Sequence, residues 1–189
     1  PSMGAWASYG LGSLNNNLPS FVVLHGGQVP AGGMSNFDSG FLPANHSSSV
    51  FSLKDPAMRN TRPFDKSDWL QQQKLKHIAE MDNDLLGRLG HDSQIESSIR
   101  NYELAYRMQM EVPDVMSIDG ETEATKKLYG LDAPYKNTRN YGRQCLIARR
   151  LVERGVRFVE LTINPGNGDR WDQHSNLVDG HQKNALAVD

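Results

Sequence analysis

The spacing of apolar residues divides the chain into four zones. In the first, residues 1–26, Trp6 and Tyr9 stand three apart behind Ser2, with Gly10 and Gly12 following. That spacing predicts a short helix capped by Ser2, with both rings on one face. A polar turn from Leu14 to Ser20 leads into Phe21-Val-Val-Leu24, a continuous apolar run ending in His25-Gly26-Gly27. A run this short reads as a strand. The second zone, residues 27–64, is rich in Gly, Ser, Asn and Pro and keeps no sustained period. It is expected to be a loop-rich insertion on the surface.

The third zone, residues 65–130, is helical by period. Leu75, Ile78, Ala79, Leu85, Leu86 and Leu89 keep helical spacing until Gly90. Ser93-x-x-Glu96 reads as a capping box. Behind it Ile95, Ile99, Tyr102, Tyr106 and Met110 form a stripe that the pattern assigns to the core. Pro113 is expected to end that helix, and a shorter one over 121–129 to stop at Gly130.

In the fourth zone, residues 141–189, Cys145, Ala148 and Val152 share one helical face, with Leu146, Ile147 and Leu151 beside it. Arg143, Arg149, Arg150, Glu153 and Arg154 take the remainder. Gly155 is placed for the residue after a helix end, where a positive φ costs nothing. A strand over Val156–Ile163 follows at once. Helix, turn and apolar strand therefore occur in both the first and the fourth zone. Two such units predict an α/β fold: a mostly parallel sheet flanked by helices, with a helical middle segment.

Composition narrows the partners. The chain has 189 residues, 38% of them hydrophobic, and a formal net charge of -2. That length supports one domain with a real core. The charge gives no electrostatic reason to expect nucleic acid or an anionic membrane. No apolar run approaches the roughly 20 residues that span a bilayer. Cys145 is the single cysteine, so no internal disulfide can form. The chain starts at Pro1 and stops at Asp189 within a helical pattern, so it is expected to be a piece of a longer protein.

The candidate chemistry lies after the last strand. A Gly-rich turn, Asn164 to Arg170, precedes Trp171-Asp172-Gln173-His174. Ligands of open α/β sheets sit beyond the carboxyl ends of strands. A carboxylate and an imidazole two residues apart are good ligands for zinc, and also suit manganese or iron. A second reading stays open, in which Asp172 caps the next helix and His174 is a surface residue. His181 is either a third ligand, a partner that orients one, or a solvent-facing helix residue. The turn's backbone amides are able to hold an oxyanion, although it lacks the P-loop ending and full dinucleotide spacing. His25, at a strand end, has the position of a site residue. His46, His77 and His91 have no supporting context, and no Ser/His/Asp arrangement follows from spacing. Cys145, on an apolar face, is expected to be inert.

These residues also carry a resemblance. The run Cys145 to Leu161 followed by Trp171-Asp-Gln-His174 is similar to the core of the domain of unknown function (DUF) 1501 family, bacterial proteins described as sulfatase-like. The stretches 1–13, 18–24, 102–109 and 121–130 match as well, so the resemblance covers essentially the whole chain. It implies a partial alkaline-phosphatase-like sheet. It also implies hydrolysis of small sulfate or phosphate esters at a divalent metal, zinc, manganese or calcium. Asp172, His174 and His181 are the positions it carries over as metal ligands. Relatives bear a Gly-Gly-Pro-Ser-His-type segment before the part corresponding to Pro1, and Gly-Glu-Phe-Gly-Arg and Asp-His motifs beyond Asp189. The nucleophile and most ligands are expected there. An exported or periplasmic setting is implied by the same resemblance. The alternative is a non-catalytic binding or surface protein that retains the fold.

Overall fold

The computed structural model describes residues 1–27, 29–54, 57–58, 67–90, 92–163 and 171–189. Helix α1, Met3–Leu11, is capped by Ser2, whose side chain accepts from the Ala5 amide, and leads into β1, Phe21–His25. Strand β2, Ser49–Ser52, lies within the zone read as loop, after two short 3-10 turns at Gly33–Phe37 and Ala44–His46. Helices α2, Asp68–Leu89, and α3, Ser93–Met116, follow, then the short α4, Glu123–Leu128. Helix α5, Lys136–Glu153, feeds β3, Phe158–Thr162, and α6 runs over Leu177–Val188.

Among the described residues the strands form one sheet in the order β2-β1-β3, parallel throughout. Central β1 reads as an unbroken apolar run because both of its faces are covered. Val22 and Leu24 join Phe51, Met108, Val112, Val115, Ile147 and Leu151 in a core under α3 and α5. Phe21 and Val23 face the other way, toward Phe37 and the half-buried Phe158. The Phe21 and Phe158 rings meet edge to face at 5.5 Å. Helix α1 closes on Phe21 through Gly4, where any side chain would overlap that ring. Each fully buried Leu or Val in this core contributes about 1.5–3 kcal/mol by removal from water.

The helix-to-strand joint is as the sequence predicts. Gly155 takes φ 90°, and a Cβ there would press on Leu14. The arginines of α5 are not all solvated. Arg149 and Arg150 both reach Glu121, at 2.8 and 2.7 Å, and Arg154 pairs with Asp114. Arg150 also donates to the Val115 and Asp114 carbonyls at 3.1 Å. These contacts fasten the end of α3 to α5.

Several expectations need correction. The cap of α3 is Asp92, which accepts from the Gln94 and Ile95 amides, so the helix begins one residue before the capping box. Pro113 does not end α3, which continues to Met116. Its missing N–H costs one bond, but the buried Val112, Val115 and Met116 hold the last turn to the core. The aromatic stripe is not core. Tyr102 is 59% and Met110 77% exposed, and the buried face of α3 is Met108, Val112 and Val115. Helical period found a real stripe, but α2 packs on it only as a half-buried hairpin partner. On α5 the buried positions are Gln144, Leu146, Ile147 and Leu151, whereas Val152 is exposed.

Candidate functional site

In a parallel sheet of order β2-β1-β3 the chain leaves β1 toward one side and later returns on the other. Such a reversal opens a crevice at the carboxyl ends of the two strands involved, here β1 and β3. His25 and Thr162 are register partners at that point. Thr162 Oγ1 accepts the Gly26 amide at 3.0 Å and lies 3.2 Å from His25 Nδ1. The strand end is thereby closed by a side chain where the ladder stops.

Gln144 supports the same point from beneath. It is 2% exposed, and its Nε2 donates to the Leu24 carbonyl at 3.1 Å and the Thr162 carbonyl at 2.9 Å. One buried amide thus ties the ends of β1 and β3 to α5. The approach is close enough that a Cβ on Gly26 would overlap the Thr162 carbonyl. Sequence reasoning missed both Gln144 and Thr162. A signal existed for the former: a polar residue three and seven positions before Ile147 and Leu151, on the face that turns out to be buried.

The Asn164–Arg170 turn lies outside the described residues, as does His91. Beyond the turn, the loop 171–174 alternates. Trp171 and Gln173 turn to α6. The Trp171 ring packs against the His181 ring at 5.9 Å, His181 Nε2 lies 3.2 Å from the Trp171 carbonyl oxygen, and Gln173 covers Gly180. Asp172 and His174 turn outward together, with Asp172 Oδ2 3.2 Å from His174 Nε2. Their side chains are 64% and 87% exposed. Asp172 does not cap α6, whose N-cap is Asn176 at φ 52°. His181, half-buried, has its Nε2 occupied in holding the loop, which leaves Nδ1.

Helix α6 brings this loop to the correct side of the sheet. It packs on α5, and the Thr138 hydroxyl donates to the Leu186 carbonyl at 2.6 Å. Thr138 precedes Gln144 by six residues, about 9 Å along the axis, and so stands beyond the strand carboxyl ends. The structure therefore brings Asp172 and His174 together, joins His181 to their loop through Trp171, and sets His25 on Thr162. Among the described residues no group of three His, Cys, Asp or Glu side chains converges as a metal site. His77 lies on exposed α2 beside Glu80 at 3.7 Å. Cys145 is half-buried, and burial pushes its thiol pKa up, against a smaller opposing effect from the Tyr141 hydroxyl. A thiol in that state is a poor nucleophile.

No curated protein and no solved structure matches the chain. The model of the family described as "Protein of unknown function (DUF1501)" matches residues 1–189. On a match of that extent the chain belongs to the DUF1501 family.

Proposed function

We propose that this chain supplies one wall of a divalent-metal site in a hydrolase of small sulfate or phosphate esters, built on an alkaline-phosphatase-like sheet. The observation that carries the reading is the convergence of Asp172 Oδ2 and His174 Nε2 at 3.2 Å, on a loop moored to α6 beyond the strand ends. A carboxylate oxygen and an imidazole nitrogen fit as two ligands of zinc or manganese. They do not complete a tetrahedral set, which needs three or four. When bound, the metal supplies Lewis acidity toward a sulfuryl or phosphoryl oxygen.

The chain's own residues do the positioning. Trp171 and Gln173 hold the loop on α6, which keeps Asp172 and His174 next to each other on its outer side. His181 fixes the Trp171 carbonyl and acts on the pair through it. Gln144, Thr162 and Gly26 keep the ends of β1 and β3 closed up, which sets His25 at the mouth of the crevice.

The exposure of both side chains favours one rival. If Asp172 and His174 are only a surface ion pair, the protein is a non-catalytic binding protein that retains the fold. Turnover of p-nitrophenyl sulfate and p-nitrophenyl phosphate by the protein as encoded, with zinc, manganese or calcium added, separates the two. The hydrolase reading expects metal-dependent turnover of one ester, lost in Asp172→Ala and in His174→Ala while circular dichroism stays unchanged. Turnover that persists in both variants sinks the assignment of these residues. Absence of turnover with either ester and every metal sinks the hydrolase reading.

A further inference from the structure

The opposite edge of the sheet holds a second polar centre. Ser20 immediately precedes β1, and His46 lies three positions before β2, so both stand at the amino ends of parallel strands. His46 Nδ1 lies 2.8 Å from Ser8 Oγ, which in turn contacts Ser20 Oγ. On the other side of the ring Asn45 Nδ2 donates to His46 Nε2 at 3.3 Å, and Ser97 Oγ donates to Asn45 Oδ1 at 3.3 Å. With the Asn45 amide donating, Nε2 is the acceptor and the proton sits on Nδ1. His46 Nδ1–H then donates to Ser8 Oγ, and Ser8 and Ser20 share a hydrogen bond that either hydroxyl is able to donate.

Ser8, Ser20 and His46 all border one pocket. A concavity of about 230 Å³ is lined by Ser20, Asn45, His46, Arg100, Asn101 and Arg107 among others. None of its lining side chains, all from described residues, is acidic. Arg100 and Arg107 lie seven residues apart on α3, about 10 Å along its axis, and both line the cavity. Arg107 Nε donates to the Asn16 carbonyl at 2.7 Å, which holds that guanidinium in place. The helical ion pairs of the two arginines are loose, 3.5 Å to Glu96 and 3.8 Å to Glu103, and all four side chains are partly solvated. Such pairs are worth little and yield readily to a better anion. Burial first, and Arg100 second, lower the pKa of His46, so the imidazole serves as a neutral relay and the arginines carry the charge.

We propose that this pocket between α1, the Ala44–His46 turn and α3 is a binding site for a small oxyanion, a phosphate or carboxylate group of a small molecule. Arg100 is its principal charged contact and Ser20 its hydroxyl contact. A planar guanidinium matches either oxyanion, and the hydroxyls held together by the half-buried His46 supply hydrogen-bonding groups beside it.

The test is titration of the folded protein with inorganic phosphate and, separately, acetate, each against sodium chloride at equal ionic strength. The readouts are calorimetry and the ring resonances of His46. Expected is saturable binding of at least one anion with a matching His46 shift, the tighter anion naming the class. Arg100→Gln, a surface change that leaves the core alone, should weaken binding about tenfold, the size of one charge-assisted hydrogen bond. Ser20→Ala should weaken it by a smaller factor and shift His46 even without anion. No saturable binding of either anion, or binding that Arg100→Gln leaves intact, overturns the proposal.

Discussion

Replacing Gln144 by methionine tests the description of the strand ends most sharply. The change keeps chain length and nearly keeps volume, so it leaves the packing beside Ile147 and Leu151 in place. It removes a buried amide that donates to the Leu24 and Thr162 carbonyls at 3.1 and 2.9 Å. A buried acceptor stripped of its donor costs about 1–3 kcal/mol. Each carbonyl keeps a second lone pair free for other partners, so the lower half of that range applies to each, and the sum is roughly 2–4 kcal/mol. In a chain of this length 1 kcal/mol moves Tm by about 2–4 °C, which predicts a drop of roughly 5–15 °C. The assay is urea and thermal unfolding, joined to hydrogen exchange of the Gly26 amide, which is held by Thr162 Oγ1. The denaturant slope should stay unchanged while that amide loses protection. A Tm shift below about 2 °C with Gly26 protection intact would refute the view that Gln144 clamps β1 to β3.

Further outcomes follow from the same contacts. Gly26→Ala places a Cβ onto the Thr162 carbonyl and should cost at least about 1–3 kcal/mol in urea melts, whereas Gly87→Ala, inside α2 with open space around it, should be neutral or stabilising. Hydrogen bonds from Arg150 and Arg149 hold the Glu121 carboxyl below its usual range, so its contribution is present above the ordinary glutamate pKa and is lost as pH falls through the lowered folded value. Glu121→Gln should therefore lower Tm at pH 7, and the gap to wild type should close on acidification below pH ~4; a gap independent of pH contradicts the pairing. Cys145, its thiol pushed up by burial, should react with Ellman's reagent at pH 7 at least about tenfold more slowly than a small free thiol in the folded protein, and at the small-thiol rate in denaturant.

The parts of the fold visible in the sequence are those where one local signal decides. Ser2, Gly155 and the run Phe21–Leu24 each specify their element without distant help, and α1, the α5–β3 joint and β1 stand where they were expected. Strand β2 was hidden because Ser49-Val-Phe-Ser52 carries one buried side chain, Phe51, and takes its strand character from pairing with β1. The stripe on α3 misled for a related reason. Period reports that a face is apolar, not which neighbour meets it, and the sheet took the face with Met108 and Val112 instead. Helix α2 was left to cover Ile99 and Tyr106 only in part. At the candidate site, spacing alone singled out Asp172 and His174. The mooring of their loop depends on Trp171, Gln173, Gly180 and His181, contacts between segments that no single-residue pattern encodes. Gln144 and the Ser8–Ser20–His46 relay likewise join residues far apart in the chain, and each arises only once the sheet has formed.

The central claim, that Asp172 and His174 are metal ligands, is tested most directly by metal content. The protein as encoded is purified without chelator, dialysed, and assayed by elemental mass spectrometry beside the Asp172→Ala/His174→Ala double variant. The account predicts bound zinc, manganese or calcium in a fixed stoichiometry in wild type. It predicts affinity at least about tenfold weaker in the variant, with unchanged circular dichroism. A double variant that retains the wild-type metal content would contradict it.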